Sequence, residues 1–239
     1  MAQLKENLEA LEVRIAAACR AAGRRREEVA LMAVSKTYPA STMLEAAELG
    51  LHLFGENRVQ EFAEKSTELG PKREGMECHL IGHLQSNKAA RAVEIFDGID
   101  SLDSLRLAER LNDAAGKCGK RLPVLIEVKL SAEESKAGLD PHSAEAARLL
   151  ERLPDFAHLE ARGLMTIAPL GVSEDETRAC FRQLRSLRDE WARQHARLNL
   201  CELSMGMSGD FALAIQEGAT RIRVGSALFG ARAYPEKTA

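Results

Sequence analysis

The chain has 239 residues, of which 45% are hydrophobic and 29% charged, and its formal net charge is −3. These values suit one globular domain spanning 1–239 with a sizeable core, and they argue against a dedicated nucleic-acid binder. No apolar run nears the ~18 residues that span a bilayer, and the five cysteines, odd in number and without a Cys-x-x-Cys pair, indicate neither a zinc site nor a disulfide framework.

The opening Met-Ala-Gln-Leu-Lys-Glu has early charges and no apolar stretch, unlike a signal peptide, so a reducing cytoplasm is the expected setting. Over 2–22, Leu4, Leu8, Leu11, Val13, Ile15 and Ala18 recur at roughly helical spacing and stop at Gly23, which predicts an amphipathic helix ahead of everything else. Arg24-Arg25-Arg26 adjoins Glu27 and Glu28 and reads as a solvated face. The apolar run Val29–Ser35 predicts a buried strand. Pro39 ends it, Ser41 is placed to cap the following helix, and Gly50 closes that helix.

The alternation then repeats. Strands are predicted near 52–54, 78–82, 97–101, 123–129, 158–166, 200–204 and 220–225. Helical patterns lie between them, near 57–68, 85–94, 104–117, 142–153, 174–196 and 208–217. Strand–helix alternation implies a parallel sheet. Eight such units in this length predict an α/β fold, a single (β/α)8 TIM barrel with an extra N-terminal helix. A doubly wound open sheet is the alternative, weakened because no Gly-x-Gly-x-x-Gly follows an early strand. Only Ala227–Ala239 follow the last predicted strand, so no second domain is expected.

Barrel active sites lie at the C-terminal ends of the strands. Lys36 stands just past the first strand, where a lysine is either a solvated terminus or an amine able to attack a carbonyl. The loops after strands 7 and 8, Ser204-Met-Gly-Met-Ser208-Gly-Asp210 and Gly225-Ser226, are rich in Gly and Ser. They suit a phosphate held by backbone N–H groups and hydroxyls, with turn and capping chemistry, Ser208 as an N-cap, as the other reading. Barrel closure makes strands 1 and 8 neighbours, so Lys36 and Arg223 can lie side by side, an arrangement suited to an aldehyde carrying a phosphate. His79 and His83 have no carboxylate or Cys at metal spacing and read as structural; no metal is expected.

Seven segments in order resemble the YggS/PROSC family of pyridoxal phosphate homeostasis proteins, relatives of the N-terminal barrel of alanine racemase. They are Ala33-Val-Ser-Lys36-Thr, Phe54-Gly-Glu-Asn57-Arg-Val-Gln-Glu61, His79-Leu-Ile-Gly-His-Leu-Gln85-Ser-Asn-Lys88, Glu134-Ser-Lys136-Ala-Gly138, Gly163-Leu-Met165-Thr, Leu203-Ser-Met-Gly-Met-Ser208, and Arg223-Val-Gly-Ser-Ala-Leu-Phe-Gly-Ala-Arg232. The resemblance implies a fold type III barrel that binds pyridoxal 5′-phosphate, with Lys36 as the Schiff-base lysine. It implies that Arg223 faces the pyridine nitrogen and that Ser208, Gly225 and Ser226 hold the phosphate, with Ser204 and Met205 nearby. Asn57 and Met165 would line the ring pocket. One departure is Lys129, where the resemblance leads one to expect Asn.

The implied function is intracellular storage and delivery of pyridoxal 5′-phosphate without robust turnover, by a monomer whose partners are the cofactor and recipient apo-enzymes. No nucleic acid or membrane is expected as a partner. An amino-acid racemase is the alternative. Racemisation on this fold needs a second base beyond the substrate, which a C-terminal domain and a partner's tyrosine supply in alanine racemase; here the tyrosines are Tyr38 and Tyr234. An arginine beside the pyridine nitrogen also keeps the ring a poorer electron sink. A phosphosugar aldolase is a third reading, without a convincing acid/base pair at the strand ends.

Overall fold

The computed structural model describes residues 1–130 and 137–230. Among them, eight parallel strands close in sequence order into a barrel whose last strand hydrogen-bonds the first. The open-sheet alternative is thereby excluded. The strands are β1 (Ala30–Val34), β2 (Leu53–Glu56), β3 (Glu77–Leu80), β4 (Gly98–Leu102), β5 (Leu122–Glu127), β6 (Leu159–Met165), β7 (Glu202–Ser204) and β8 (Arg221–Val224). Helix α1 (Ala2–Ala21) precedes the barrel. Then α2 (Ala40–Glu48), α3 (Val59–Leu69), α4 (Ala89–Ile95), α5 (Leu105–Lys117), α6 (Ala144–Arg152), α7 (Glu174–Gln194), α8 (Phe211–Gln216) and the short α9 (Ser226–Phe229) each follow a strand. No helix among the described residues is long and apolar enough to cross a membrane.

The N-terminal helix packs on α8 and α9 through a stripe of Leu4, Leu11, Ile15, Ala18 and Cys19. Val13, expected on that stripe, is 67% exposed, because two residues beyond Leu11 the helix has turned about 200°. Arg24 N–H returns to Cys19 O at 2.9 Å across Gly23, whose φ of +65° is the left-handed step that ends many helices. Ser41 is not the cap of α2. The helix already starts at Ala40, with Pro39 at the N-cap and no side-chain cap bond.

Side chains alternate faces along each strand, and the barrel sorts them accordingly. Leu31 and Ala33 of β1 join the large core under the helices. Met32 and Val34 point the other way and meet Ile81, Leu125 and Met165 inside the barrel. In the same alternation Arg221 and Arg223 face inward while Ile222 and Val224 join the outer core.

The N-terminal half of the barrel interior is filled by charge. His79 contacts Asp100 at 2.7 Å and Glu77 at 2.8 Å, and Arg221 donates to Asp100 Oδ2 at 2.9 Å and to Glu202. Burial opposes charge on His79, yet Asp100 and Glu77 outweigh it and raise its pKa to about 9. Burial likewise opposes ionised Asp100, and His79 and Arg221 outweigh it, holding Asp100 down at about 2. Gly98 makes room for this histidine, since a Cβ there would sit 2.5 Å from the ring. Both ring nitrogens of His79 are therefore engaged inside the fold, away from the open end.

Candidate functional site

The C-terminal end of the barrel opens into a cavity of about 470 Å³, within the range of about 300–1,000 Å³ common for small-molecule sites. Strand alternation decides who faces it. Val34 points inward, so Ser35 turns outward, where it is fully buried, and Lys36 turns inward to line the cavity. Asn57 reaches it by the same parity from the end of β2, and Arg223 from β8. Strands β1 and β8 pair with Met32 opposite Arg223, which brings Lys36 and Arg223 onto adjoining strands of one wall although 223 − 36 = 187 positions separate them.

Arg223 is buried and is held by neutral oxygens. Its Nη2 donates to Thr166 O at 2.8 Å, and Nη1 donates to Ser204 O and Oγ. Burial pulls this arginine below its ordinary range, partly offset by Asp100, Glu127 and Asp210. The loops after β7 and β8 also line the cavity, through Ser208, Gly209, Gly225 and Ser226. Ser208 is not an N-cap, because α8 starts at Phe211 with Asp210 before it. Its Oγ instead accepts from Ala227 N–H at 3.3 Å, tying the two loops together. Ser226 opens the short α9, with Gly225 at the N-cap.

These geometric findings coincide with a family pattern that covers the barrel. The family model described as the alanine racemase N-terminal domain matches residues 7–233. The chain belongs to this family. Within the alanine racemase N-terminal domain family it is 41% identical to a protein of Aquifex aeolicus named pyridoxal phosphate homeostasis protein, over 96% of this chain and 98% of the relative. It is equally 41% identical to a protein of the same name from Escherichia coli K12, over 99% and 100%. The solved structure of PipY from Synechococcus elongatus, described as having PLP bound, superposes with a TM-score of 0.84 at 44% identity, covering 95% of this chain and 100% of that one. An alanine racemase of Clostridium difficile shares the fold at a TM-score of 0.73 and 15% identity; this chain covers 58% of it.

For this family member, six of the nine residues singled out from sequence share the cavity: Lys36, Asn57, Ser208, Arg223, Gly225 and Ser226. The other three do not line it. Met165 is packed beneath it in the barrel interior, Ser204 supports Arg223 from behind, and Met205 lies in the outer core. Lys88 donates to Gln60 Oε1 at 3.4 Å, away from the wall, and Lys136 lies outside the described residues.

Sequence reasoning missed Glu127, which lines the cavity 5% exposed with Oε2 lacking a hydrogen-bond partner. Burial drives its carboxyl up to about 7, with Asp103 adding to the rise and Arg223 opposing it. Lys129, the departure from the family pattern, lines the same wall. An acid inside the apolar run Val124–Val128 was the available signal, since charged residues are rarely buried without a reason.

Proposed function

We propose that this chain binds pyridoxal 5′-phosphate in the barrel-end cavity and serves its storage and delivery in the cytoplasm, as a monomer without robust turnover. The observation that carries the reading is the pairing of Lys36 and Arg223 on one cavity wall, in a chain 44% identical to a relative described as PLP-bound.

The residues present fit the group. A buried guanidinium held only by neutral oxygens can face a lone pair such as a pyridine nitrogen. The Ser208–Gly209 and Gly225–Ser226 loops present small residues to a phosphate. Gly225 in particular passes close to β1, where a Cβ would stand 3.3 Å from Val34 O. When bound, the cofactor supplies an aldehyde carbon that takes up an amine, and an electron-withdrawing ring. Lys36 provides that amine, Arg223 keeps the ring nitrogen unprotonated, Asn57 borders the ring, and Ser208, Gly225 and Ser226 hold the phosphate. Storage is favoured over racemisation by Tyr38, whose hydroxyl donates to Gly230 O at 2.8 Å and is not among the cavity-lining residues.

The test is a transfer experiment. Loaded protein mixed with an apo-enzyme should restore activity, compared with the same amount of free cofactor. The loaded wild type should show visible absorbance that borohydride abolishes, and Lys36→Ala should lack it. Retention of that absorbance by Lys36→Ala, or interconversion of L- and D-amino acids at enzyme-like rates by the wild type, would overturn the proposal.

A further inference from the structure

Lys36 is flanked by two residues that one buried ion cluster holds in place. On its N-terminal side, the Ser35 carbonyl accepts from Lys65 Nζ at 3.0 Å and from Tyr38 N–H at 3.0 Å, closing a turn over Lys36 and Thr37. The Ser35 hydroxyl donates to Glu56 Oε1 at 2.6 Å. On the other side, Thr37 N–H donates to Glu61 Oε1 at 2.6 Å. Lys65 Nζ joins both halves, 2.9 Å from Glu56 Oε1 and 2.8 Å from Glu61 Oε1.

Two features make this cluster unusual. Lys65 and Glu56 are buried, at 7% and 0% exposure, although an ion pair taken out of water contributes little net stability and apolar residues of similar size often serve as well. Glu56 also leaves Oε2 without a partner, and burial pushes its carboxyl upward against the pull of Lys65 and Ser35. Thr37 has φ +70°, the one non-glycine residue at positive φ among those described. A β-branched residue held there is strained, and persists only where its surroundings impose it. The surroundings that impose it here are Glu61 on the Thr37 amide and Lys65 on the Ser35 carbonyl.

We propose that Lys65 is a positioning residue for Lys36: with Glu56 and Glu61 it clamps the backbone on both sides of Lys36 and so fixes the approach of that amine into the cavity. Lys65 stands on α3, outside the strand layer; it bonds the Ser35 carbonyl directly and reaches the Thr37 amide through Glu61. This inference rests on the reading that Lys36 attaches the cofactor aldehyde.

The test separates attachment from binding. Pyridoxal 5′-phosphate is titrated into wild type, Lys65→Met, Lys65→Arg and Glu61→Gln, with folding checked by circular dichroism and melting. Borohydride-trapped label at Lys36 is quantified by peptide mapping. Non-covalent affinity is measured in Lys36→Ala and in Lys36→Ala/Lys65→Met. Trapping should fall roughly tenfold or more in Lys65→Met and in Glu61→Gln, and Lys65→Arg should recover most of it. The two Lys36→Ala backgrounds should bind the cofactor alike. Equal trapping in wild type, Lys65→Met and Glu61→Gln would overturn the proposal, as would equal losses of trapping and of non-covalent affinity. Should Lys65→Met fail to fold, Glu61→Gln, at the half-buried end of the cluster, decides the matter. Absence of label at Lys36 in the wild type would instead overturn the function proposed above.

Discussion

Arg223 donates through Nη1 to both the carbonyl and the hydroxyl of Ser204, at 2.7 and 2.9 Å. Ser204 is fully buried and does not line the cavity, so its task in this barrel is to aim the guanidinium that does.

That relationship sets a graded prediction. Ser204→Ala removes one of two acceptors of a buried charged donor and should destabilise the protein by about 1.5–3 kcal/mol, read from urea midpoints. Arg223→Leu removes the cation itself. It should weaken pyridoxal 5′-phosphate binding more than Ser204→Ala does, as measured by equilibrium dialysis, because only Arg223 reaches the cavity. Equal losses in the two variants would contradict this division of labour.

Glu127 makes stability depend on pH with a definite sign. Its carboxyl titrates at about 7 in the folded chain against an ordinary 4.5. Between those values the folded state keeps a proton that the unfolded state has released, so stability falls as pH rises from about 4.5 to 7 and then levels. Glu127→Gln should abolish that fall and exceed the wild type at pH 8 by up to about 3 kcal/mol. His79 adds a separate decline, present in both proteins, as pH rises from 6.5 through about 9. Urea midpoints at pH 5, 6, 7 and 8 isolate Glu127 by difference, and parallel curves for the two proteins would refute the assignment.

Gly163 leaves no room for a side chain between β6 and β7. It pairs with Glu202, and a Cβ there would lie 1.9 Å from the Glu202 carbonyl oxygen. Gly163→Ala must push a central strand pair apart and should destabilise by about 3 kcal/mol or more, beyond the range of ordinary substitutions. Gly209→Ala, with nothing within 4 Å of the added carbon, should stay within about 0.5 kcal/mol. Thermal melts of both variants provide the comparison.

Much of the fold was legible along the chain. Apolar runs of strand length alternating with 3.6-residue periodicity located the eight strands to within a few residues, because burial on both faces of a parallel strand leaves a continuous apolar stretch. Ends were less legible. Pro39 rather than Ser41 precedes α2, and Ser226 starts a helix, since either serine could meet the local hydrogen-bonding rules. Within the site, the glycines and serines after β7 and β8 announced themselves by composition. Glu127 stood out only as an acid in an apolar run, and which way it faces waited on the parity of β5 in the closed barrel; Lys129, two residues past the end of β5, depended on the same parity.

The same distinction holds for the cluster around Lys36. Lys65 stands three residues after Phe62 and four before Leu69, on the buried stripe of α3, but its place on that stripe names no partner on the barrel, and nothing local marks Thr37 as left-handed. Residue types and their order determined by themselves that this chain builds a barrel with an amine and a small-residue cradle at its open end. Only the tertiary structure decided which groups meet there. Closing the sheet places β8 against β1, and packing α3 over the strands carries Lys65, already spaced i,i+4 from Glu61, against Glu56 of β2. Such contacts depend on the direction of each side chain in three dimensions, which spacing along one chain does not specify.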